Sequence, residues 1–150
     1  IFFIEVFLLG KNPNITNTYI NEFYSGYAVW KNNLLLGGGI NSFYSNCIKT
    51  VDFCSTHPHN YYLEILSELG IIGLIICLSI FYLIFNDSVF KKKYLQTNQN
   101  YNYVLPFIVI FMVEIFPLKT SGSFFTTGTA SYFFLILAII ISLNNKSKYN

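Results

Sequence analysis

Long uncharged runs of apolar residues alternate with polar segments along this chain. The run Leu69–Asn86 contains no Asp, Glu, Lys or Arg, and its 18 residues span about 27 Å as an α-helix, close to the ~30 Å hydrocarbon core of a bilayer. Two further apolar runs cover residues 103–118 and 129–143. Each is shorter than ideal, so we expect it to tilt or to extend into the interface. The pattern predicts an all-α, polytopic integral membrane helical bundle with about three transmembrane helices.

The segments between these runs complete the predicted organisation. Residues 1–10 are apolar, and we expect them to be the end of a hydrophobic segment in a longer protein, of which this chain is a C-terminal fragment. Residues 11–68 are polar, irregular and rich in Asn, which predicts a large, partly helical loop. Residues 144–150 form a short basic tail.

The lysines predict how the chain is oriented in the membrane. With three spans, the loop that contains Lys91–Lys93 and the tail that contains Lys146 and Lys148 fall on the same side. The positive-inside rule makes that side cytoplasmic. The 11–68 loop and residues 119–128 are then both extracytoplasmic.

The composition excludes several classes of protein. The chain is 53% hydrophobic and only 11% charged, whereas a soluble domain is about 25% charged, so we expect membrane lipid to solvate much of the surface. A net charge of +2 is too small to indicate a nucleic-acid partner. The sequence also contains no Arg, the side chain that most often clamps phosphate and reads bases.

The three cysteines leave one question open. Cys77 lies in an apolar run and is expected to be a small packing residue. Cys47 and Cys54 can form a disulfide if their segment is extracytoplasmic, but the sequence does not decide whether they do. Their spacing lacks the pairs of a structural zinc site, so no metal is predicted there.

The candidate chemical site is the segment His57-Pro58-His59-Asn60, which precedes the first long apolar run. Asn60 or Thr56 is expected to cap a helix, on which Asn60, Glu64 and Glu68 share one face. A His near neutrality can remove a proton from an attacking sugar hydroxyl, and a carboxylate such as Glu64 or Glu68 can orient it. The alternatives are a turn that only caps the helix, or a metal site, for which no third ligand stands at an obvious spacing.

Three successive glycines, Gly37–Gly39, form a second candidate feature upstream. Backbone N–H groups in such a loop can approach an anion closely. The segment lacks the Gly-Lys-Ser/Thr ending of a nucleotide-binding P-loop, so nucleotide binding is disfavoured. As a generic turn, the segment needs no function.

Two stretches resemble the O-antigen ligase and polymerase family. Trp30, followed at a distance by Gly37, Gly39 and Phe43, is similar to a tryptophan and glycine segment of that family, with Leu where the family often has Pro. His59-Asn60, nine residues and then Gly70-Ile-Ile-Gly73 resemble the ligase signature of His-Asn, nine residues and G-x-x-G. The stretch Ser121–Gly128 falls where such proteins return to the site.

This resemblance implies a membrane enzyme that needs no cofactor or metal. The family's members are inverting glycosyltransferases whose donor is an undecaprenyl-diphosphate-linked glycan. Ligases transfer the glycan to lipid A-core, and the related polymerases transfer it to another glycan. The resemblance places the protein in the bacterial inner membrane, with several spans and an active site that faces the periplasm.

The resemblance also implies roles for residues of this chain. His59 is the candidate base, with Asn60 as its positioning neighbour and His57 beside it. The family holds the diphosphate with arginines, which this chain lacks. We expect either that these arginines lie in a preceding part of a longer protein or that other groups bind the substrate, namely Lys31, Lys49, Lys119, Gly37 and Gly39. Two rival interpretations remain open: a transporter fragment, disfavoured because Glu114 is the one clear charge inside the predicted spans, and a non-catalytic assembly subunit.

Overall fold

Five α-helices form the framework of the chain in the computed structural model, which describes residues 18–93, 100–117 and 119–146. In chain order the helices are α1 (Thr18–Asn32), α2 (Phe43–Thr50), α3 (Tyr61–Lys93), α4 (Asn100–Glu114) and α5 (Thr127–Lys146). No strand occurs within the described ranges, which confirms the predicted all-α class.

One helix in the described ranges has the length and composition needed to cross a membrane. It is the 26-residue part of α3 from Tyr61 to Asn86. Only 11% of its most apolar window is buried inside the chain, whereas the core helix of a soluble protein would be mostly buried. The predicted spans 103–118 and 129–143 correspond to shorter apolar helices, Tyr103–Glu114 and Thr127–Leu143, so three crossings stay a prediction. Residue 118 lies outside the described residues, as do 1–17 and 147–150.

The chain divides into two compact units. The first comprises Ile1–Leu74 and Thr120–Phe125, and the second comprises Ile75–Lys119 and Thr126–Asn150. In the second unit the rings of Phe81, Phe111 and Phe133 meet with centroids 5.5–5.7 Å apart and join α3, α4 and α5. Aromatic pairs at this distance stabilise a core beyond the area they bury.

Outside this aromatic core, the helices of the second unit remain apolar on their exposed faces. On α4 the buried residues Val104, Ile108 and Phe111 form one stripe, while Val109 and Val113 are exposed. On α5 the exposed large side chains likewise include Phe134, Leu135 and Ile141. A helix that is apolar on all sides is typical of a membrane environment. These faces therefore support contact with lipid.

The first unit contains most of the predicted 11–68 loop, and the loop is partly helical as expected. Its small apolar core consists of Val29 on α1 with Phe43 and Cys47 on α2, and it is completed by Val51 and Cys54. Cys47 and Cys54 are joined by a disulfide, with their Cα atoms 5.8 Å apart. The structure thus answers the question that the sequence left open, and it agrees with an oxidising, extracytoplasmic location for this unit.

Reduction of this disulfide is expected to destabilise the first unit. The bond closes a short loop, and the loop-closure entropy of such a loop corresponds to about 2–3 kcal/mol. The paired variant Cys47→Ala/Cys54→Ala of the full-length protein should therefore unfold at a lower temperature in detergent. Cys77→Ala is the matched control, because Cys77 is a free, half-buried thiol. Equal thermal midpoints for the paired variant and the control would contradict the prediction.

Gly70 interrupts α3, and residues 34–39 of the first unit fill the interruption. We call these residues the glycine loop. Gly70 has φ 67° and ψ −168°, a conformation open almost only to glycine. In a regular helix the N–H groups of Ile71 and Ile72 would bond to the carbonyls of Ser67 and Glu68. Here those two N–H groups donate to the carbonyls of Leu34 and Leu35, at 3.0 and 3.3 Å.

The two carbonyls released by this break are also satisfied by the loop. Gly38 N–H donates to the carbonyl of Ser67 at 2.9 Å, and Gly39 N–H donates to that of Glu68 at 2.8 Å. All four backbone groups freed by the break therefore have partners in residues 34–39. The space beside Gly70 is occupied by the backbone of Leu35 and Leu36.

Candidate functional site

The His-Pro-His-Asn segment forms a tight turn that begins α3. The side-chain Oδ1 of Asn60 accepts the N–H groups of Tyr62 at 3.1 Å and Leu63 at 3.2 Å, which is an N-cap. Of the two possible caps, Asn60 and Thr56, the structure uses Asn60, and the predicted start of the helix is confirmed. Asn60 is 2% exposed, so its side chain is held inside the turn. Its further role as a positioning neighbour of His59 stays a prediction.

The backbone of His59 is held in an unusual conformation. Its φ is 50°, in the left-handed region where residues other than glycine are uncommon and His, Asn and Asp are enriched. Its carbonyl accepts the N–H of Ser121 at 2.9 Å. The stretch from Ser121 therefore returns to the turn, as the resemblance implied, and it fixes the position from which the imidazole projects.

The ring of His59 lies between a carboxylate and a second imidazole. Its Nε2 is 3.4 Å from Oε1 of Glu22 on α1. On another side the ring of His57 lies with its centroid 4.1 Å from that of His59. The side chain of His59 is 34% exposed, whereas that of Glu22 is 9% exposed. A partly accessible imidazole can accept a proton, and a buried carboxylate beside it can stabilise the resulting positive charge.

Sequence reasoning missed Glu22, although the sequence carries a signal for it. Glu22 is the one charged residue between Thr18 and Trp30, a stretch of mainly aromatic or small residues, and the helix carries one other charge, Lys31, in its last turn. Gly26 follows it by one helical turn and therefore shares its face. An added Cβ at Gly26 would lie 2.8 Å from Cβ of Pro58, so α1 and the turn are in close contact there.

The two carboxylates predicted to orient the histidine bind loops. Glu64 accepts the hydroxyl of Ser123 and the N–H of Phe124 at 2.6 Å. Glu68 accepts the N–H of Asn41 at 2.8 Å and that of Phe43 at 3.3 Å. Both are 2% exposed. The carboxylate that the structure brings to His59 is Glu22, and a catalytic role for Glu64 or Glu68 stays a prediction.

His57 is held in its neutral form by its surroundings. Burial, and next the neighbouring His59, lower the pKa of His57 below its ordinary value. Its Nδ1 lies 3.0 Å from the hydroxyl of Thr56, and its Nε2 is buried without a hydrogen-bond partner. A positive charge on His57 is therefore disfavoured.

Acid is expected to weaken the folded state through His57. Because the pKa of His57 in the folded chain is lower than its ordinary value of 6.5, the unfolded chain takes up the proton first as the pH falls. The contribution to stability is complete above that ordinary value and is lost as the pH falls through the lowered pKa. The thermal midpoint in detergent should drop over this interval, and by less in the His57→Gln variant. An equal acid response of both proteins would refute the assignment.

The remaining predicted site residues are placed as follows. The N–H groups of the three glycines are all used in backbone hydrogen bonds. That of Gly37 donates to the carbonyl of Asn33 at 3.0 Å, and those of the next two glycines donate to carbonyls of α3. Lys31 is exposed, with its Nζ 5.5 Å from the ring centroid of Tyr27, and Lys49 is exposed on α2. Lys119 belongs to the second unit and pairs with Glu114 at 2.7 Å. Substrate binding by Lys31, Lys49, Lys119, Gly37 and Gly39 stays a prediction.

The described side chains contain no group of three or more His, Cys, Asp or Glu residues placed to hold a metal ion. The rings of His57 and His59 lie against each other at an interplanar angle of 42°, and the carboxylate of Glu22 approaches Nε2 of His59. The titratable side chains that the structure brings together at this turn are His57, His59 and Glu22.

The segment that holds these contacts is also the one that a family model recognises. Residues 4–78, which are 75 of the 150, match the model described as O-antigen ligase. The chain belongs to the O-antigen ligase family. The resemblance drawn from Trp30, the glycine segment and the His-Asn signature is thereby confirmed. No curated protein and no solved structure matches the chain.

Membership of the O-antigen ligase family assigns the chain a general activity. The family comprises membrane glycosyltransferases of the O-antigen ligase and polymerase type, found in the bacterial inner membrane. They act on a lipid-linked glycan donor and an acceptor. The matched residues include α1, the glycine loop and the turn with His59, so the family segment and the described first unit largely coincide.

Proposed function

We propose that this chain functions as a ligase that transfers an O-antigen-type glycan from undecaprenyl diphosphate to lipid A-core at the periplasmic face of the inner membrane. His59 removes the proton of the acceptor hydroxyl. The acceptor oxygen forms a bond to the anomeric carbon of the donor, and the bond from that carbon to the diphosphate breaks. The polyprenyl diphosphate leaves with the electron pair, so no nucleotide, metal or other cofactor is required.

The observation that carries this proposal is the environment of His59. The ring is partly exposed, stands beside a buried carboxylate and lies at the beginning of the helix with membrane-spanning length. About ten residues of helix separate it from Gly70, which corresponds to roughly 15 Å. A base at this distance along the helix from Gly70 suits a donor whose lipid tail is in the bilayer and whose sugar is in water.

The extracytoplasmic location is supported by two independent features. The disulfide between Cys47 and Cys54 is typical of an oxidising compartment. The lysine clusters at Lys91–Lys93 and in the 144–150 tail assign the opposite ends of the predicted spans to the cytoplasm. In this arrangement Lys31 and Lys49 are the exposed cations, among the described residues of the first unit, available to a diphosphate, as single charges without the bidentate geometry of Arg.

Reconstitution of the full-length protein tests the proposal. Purified protein in liposomes receives undecaprenyl-diphosphate-linked O-antigen as donor and lipid A-core as acceptor. Ligase activity gives glycan on lipid A-core and free undecaprenyl diphosphate. A product in which the donor glycan is instead lengthened on its own lipid carrier would show a polymerase and contradict the ligase assignment. Absence of both products, in liposomes that contain folded protein, would contradict glycan transfer altogether.

A further inference from the structure

We propose that Glu22 is the positioning residue of the catalytic base: it accepts the Nε2–H of His59, so that Nδ1 is the nitrogen that takes the proton of the acceptor. This inference rests on the proposed function, because it assigns a partner and an atom to the base named there. It does not depend on the identity of the acceptor.

The geometry between the two side chains supports the pairing. Oε1 of Glu22 is 3.4 Å from Nε2 of His59, a loose contact. Catalytic hydrogen bonds are often long in the free enzyme and tighten when substrate binds. The pair is formed by two separate elements, α1 and the turn before α3, which approach closely because Gly26 presents no Cβ to Pro58. A contact that requires such a close approach is specific to this fold.

The carboxylate of Glu22 is buried, and its hydrogen bonding is incomplete. Its side chain is 9% exposed, and its second oxygen, Oε2, is buried with no hydrogen-bond partner. A buried carboxylate without full compensation is costly. Among the described residues, His59 is the basic side chain that pairs with Glu22. The imidazolium that forms when His59 takes a proton supplies the missing positive charge at the moment of reaction.

The ring of His59 is held on its other sides as well. His57 lies against it at a centroid distance of 4.1 Å, and the N–H of Ser121 fixes its backbone carbonyl at 2.9 Å. With Nε2 directed at Glu22, Nδ1 is the remaining nitrogen available to a substrate. A histidine whose one nitrogen is bonded to a carboxylate has its tautomer and orientation set for proton transfer from the other.

The other buried carboxylates of the first unit are already engaged. Glu64 and Glu68 each accept two hydrogen bonds from loop residues. Their oxygens stabilise the loops around the site. Glu22 differs from both because one of its oxygens faces an imidazole and the other has no partner.

Steady-state kinetics of the full-length enzyme with undecaprenyl-diphosphate-linked O-antigen and lipid A-core provide the first test. Glu22→Gln should lower kcat about 100-fold with KM for both substrates within about twofold of the parent, because the loss lies in proton transfer and not in binding. Glu22→Asp should recover at least about tenfold over Glu22→Gln, since it restores the charge at a slightly greater distance. Asp52→Asn is the matched control, because Asp52 is an exposed carboxylate of the same unit.

The kinetic outcomes separate this inference from the proposed function. If His59→Asn is inactive while Glu22→Gln keeps the parental kcat, the role of Glu22 is overturned and the base assignment stands. If His59→Asn remains active, the base assignment fails and the role of Glu22 fails with it, whereas absence of transfer by the folded parent protein would contradict the proposed function itself. A loss in Glu22→Gln that appears in KM, or that Glu22→Asp does not relieve, would show a merely structural carboxylate and overturn the inference.

A spectroscopic measurement keeps the inference testable even if the Glu22 variants fail to fold. The ¹⁵N spectrum of histidine-labelled full-length protein distinguishes a protonated Nε2 from a protonated Nδ1. The signals of His59 are those that disappear in His59→Asn. We expect the Nε2–H form at neutral pH. Observation of the Nδ1–H form would overturn the proposal.

Discussion

Replacement of His59 by Asn is expected to abolish glycan transfer while the protein still folds and inserts. Loss of a general base typically costs about 10²–10⁴-fold in rate. Asn is the suitable substitute because it tolerates the left-handed backbone that His59 adopts at φ 50°, whereas Ala or Gln would add strain. Activity would be measured as lipid A-core-linked glycan formed per amount of membrane-inserted protein.

The control for this variant is Tyr44→Phe, which removes the hydroxyl group of an exposed residue on α2 in the same unit. It should keep the parental rate and the parental amount of inserted protein. Transfer by His59→Asn at more than about a tenth of the parental rate would contradict the base assignment. Loss of inserted protein in His59→Asn would indicate instead that the turn is needed for folding, and the temperature of unfolding in detergent would reveal it.

Addition of a methyl group at Gly70 or Gly37 is expected to be the most destabilising small change in the first unit. A Cβ at Gly70 would clash with the backbone of Leu35 and Leu36, and a Cβ at Gly37 would clash with the backbone of Glu68 and Leu69. Both glycines also have positive φ. Backbone cannot move aside cheaply, and the four hydrogen bonds of the break would be strained. We expect each Ala variant to lose at least about 3 kcal/mol of unfolding free energy.

Two other glycines provide matched controls for this prediction. Gly39 has φ 101° but open space where the added methyl group would lie, so Gly39→Ala isolates the conformational penalty of about 1–2 kcal/mol. Gly128 has open space and no positive φ, so Gly128→Ala should change stability by about 1 kcal/mol or less. Denaturant or thermal unfolding in detergent would rank the four variants. Equal losses for Gly70→Ala and Gly39→Ala would disprove the docking of the glycine loop on α3.

Local features of the site could be predicted from the sequence because they depend on neighbouring residues. Asn60 caps the helix that follows it, and α3 begins at Tyr61, as the spacing of Asn60, Glu64 and Glu68 indicated. The apolar run from Leu69 likewise predicted the helix with membrane-spanning length. Each of these depends on hydrogen bonds or hydropathy within a few turns of one helix.

The partners across the fold could not be predicted in the same way. Glu22 and His59 are 37 residues apart in sequence (59 − 22), and no periodicity links α1 to the turn. Glu64 and Glu68 were closer in sequence and on one face, which made them the obvious candidates to orient His59. In the structure their carboxylates cap the loops around Ser123 and Asn41. Tertiary packing decided which carboxylate meets the imidazole.

The interruption at Gly70 has a consequence for how this segment can be exchanged between relatives. The carbonyls and N–H groups that the interruption frees are hydrogen-bonded to residues 34–39, so two stretches that are distant along the chain complete each other. A chimera that takes the segment around Gly70 from another protein loses these hydrogen bonds unless it also takes residues 34–39 from that protein. Directed recombination should therefore succeed only when crossover points keep both pieces from the same parent.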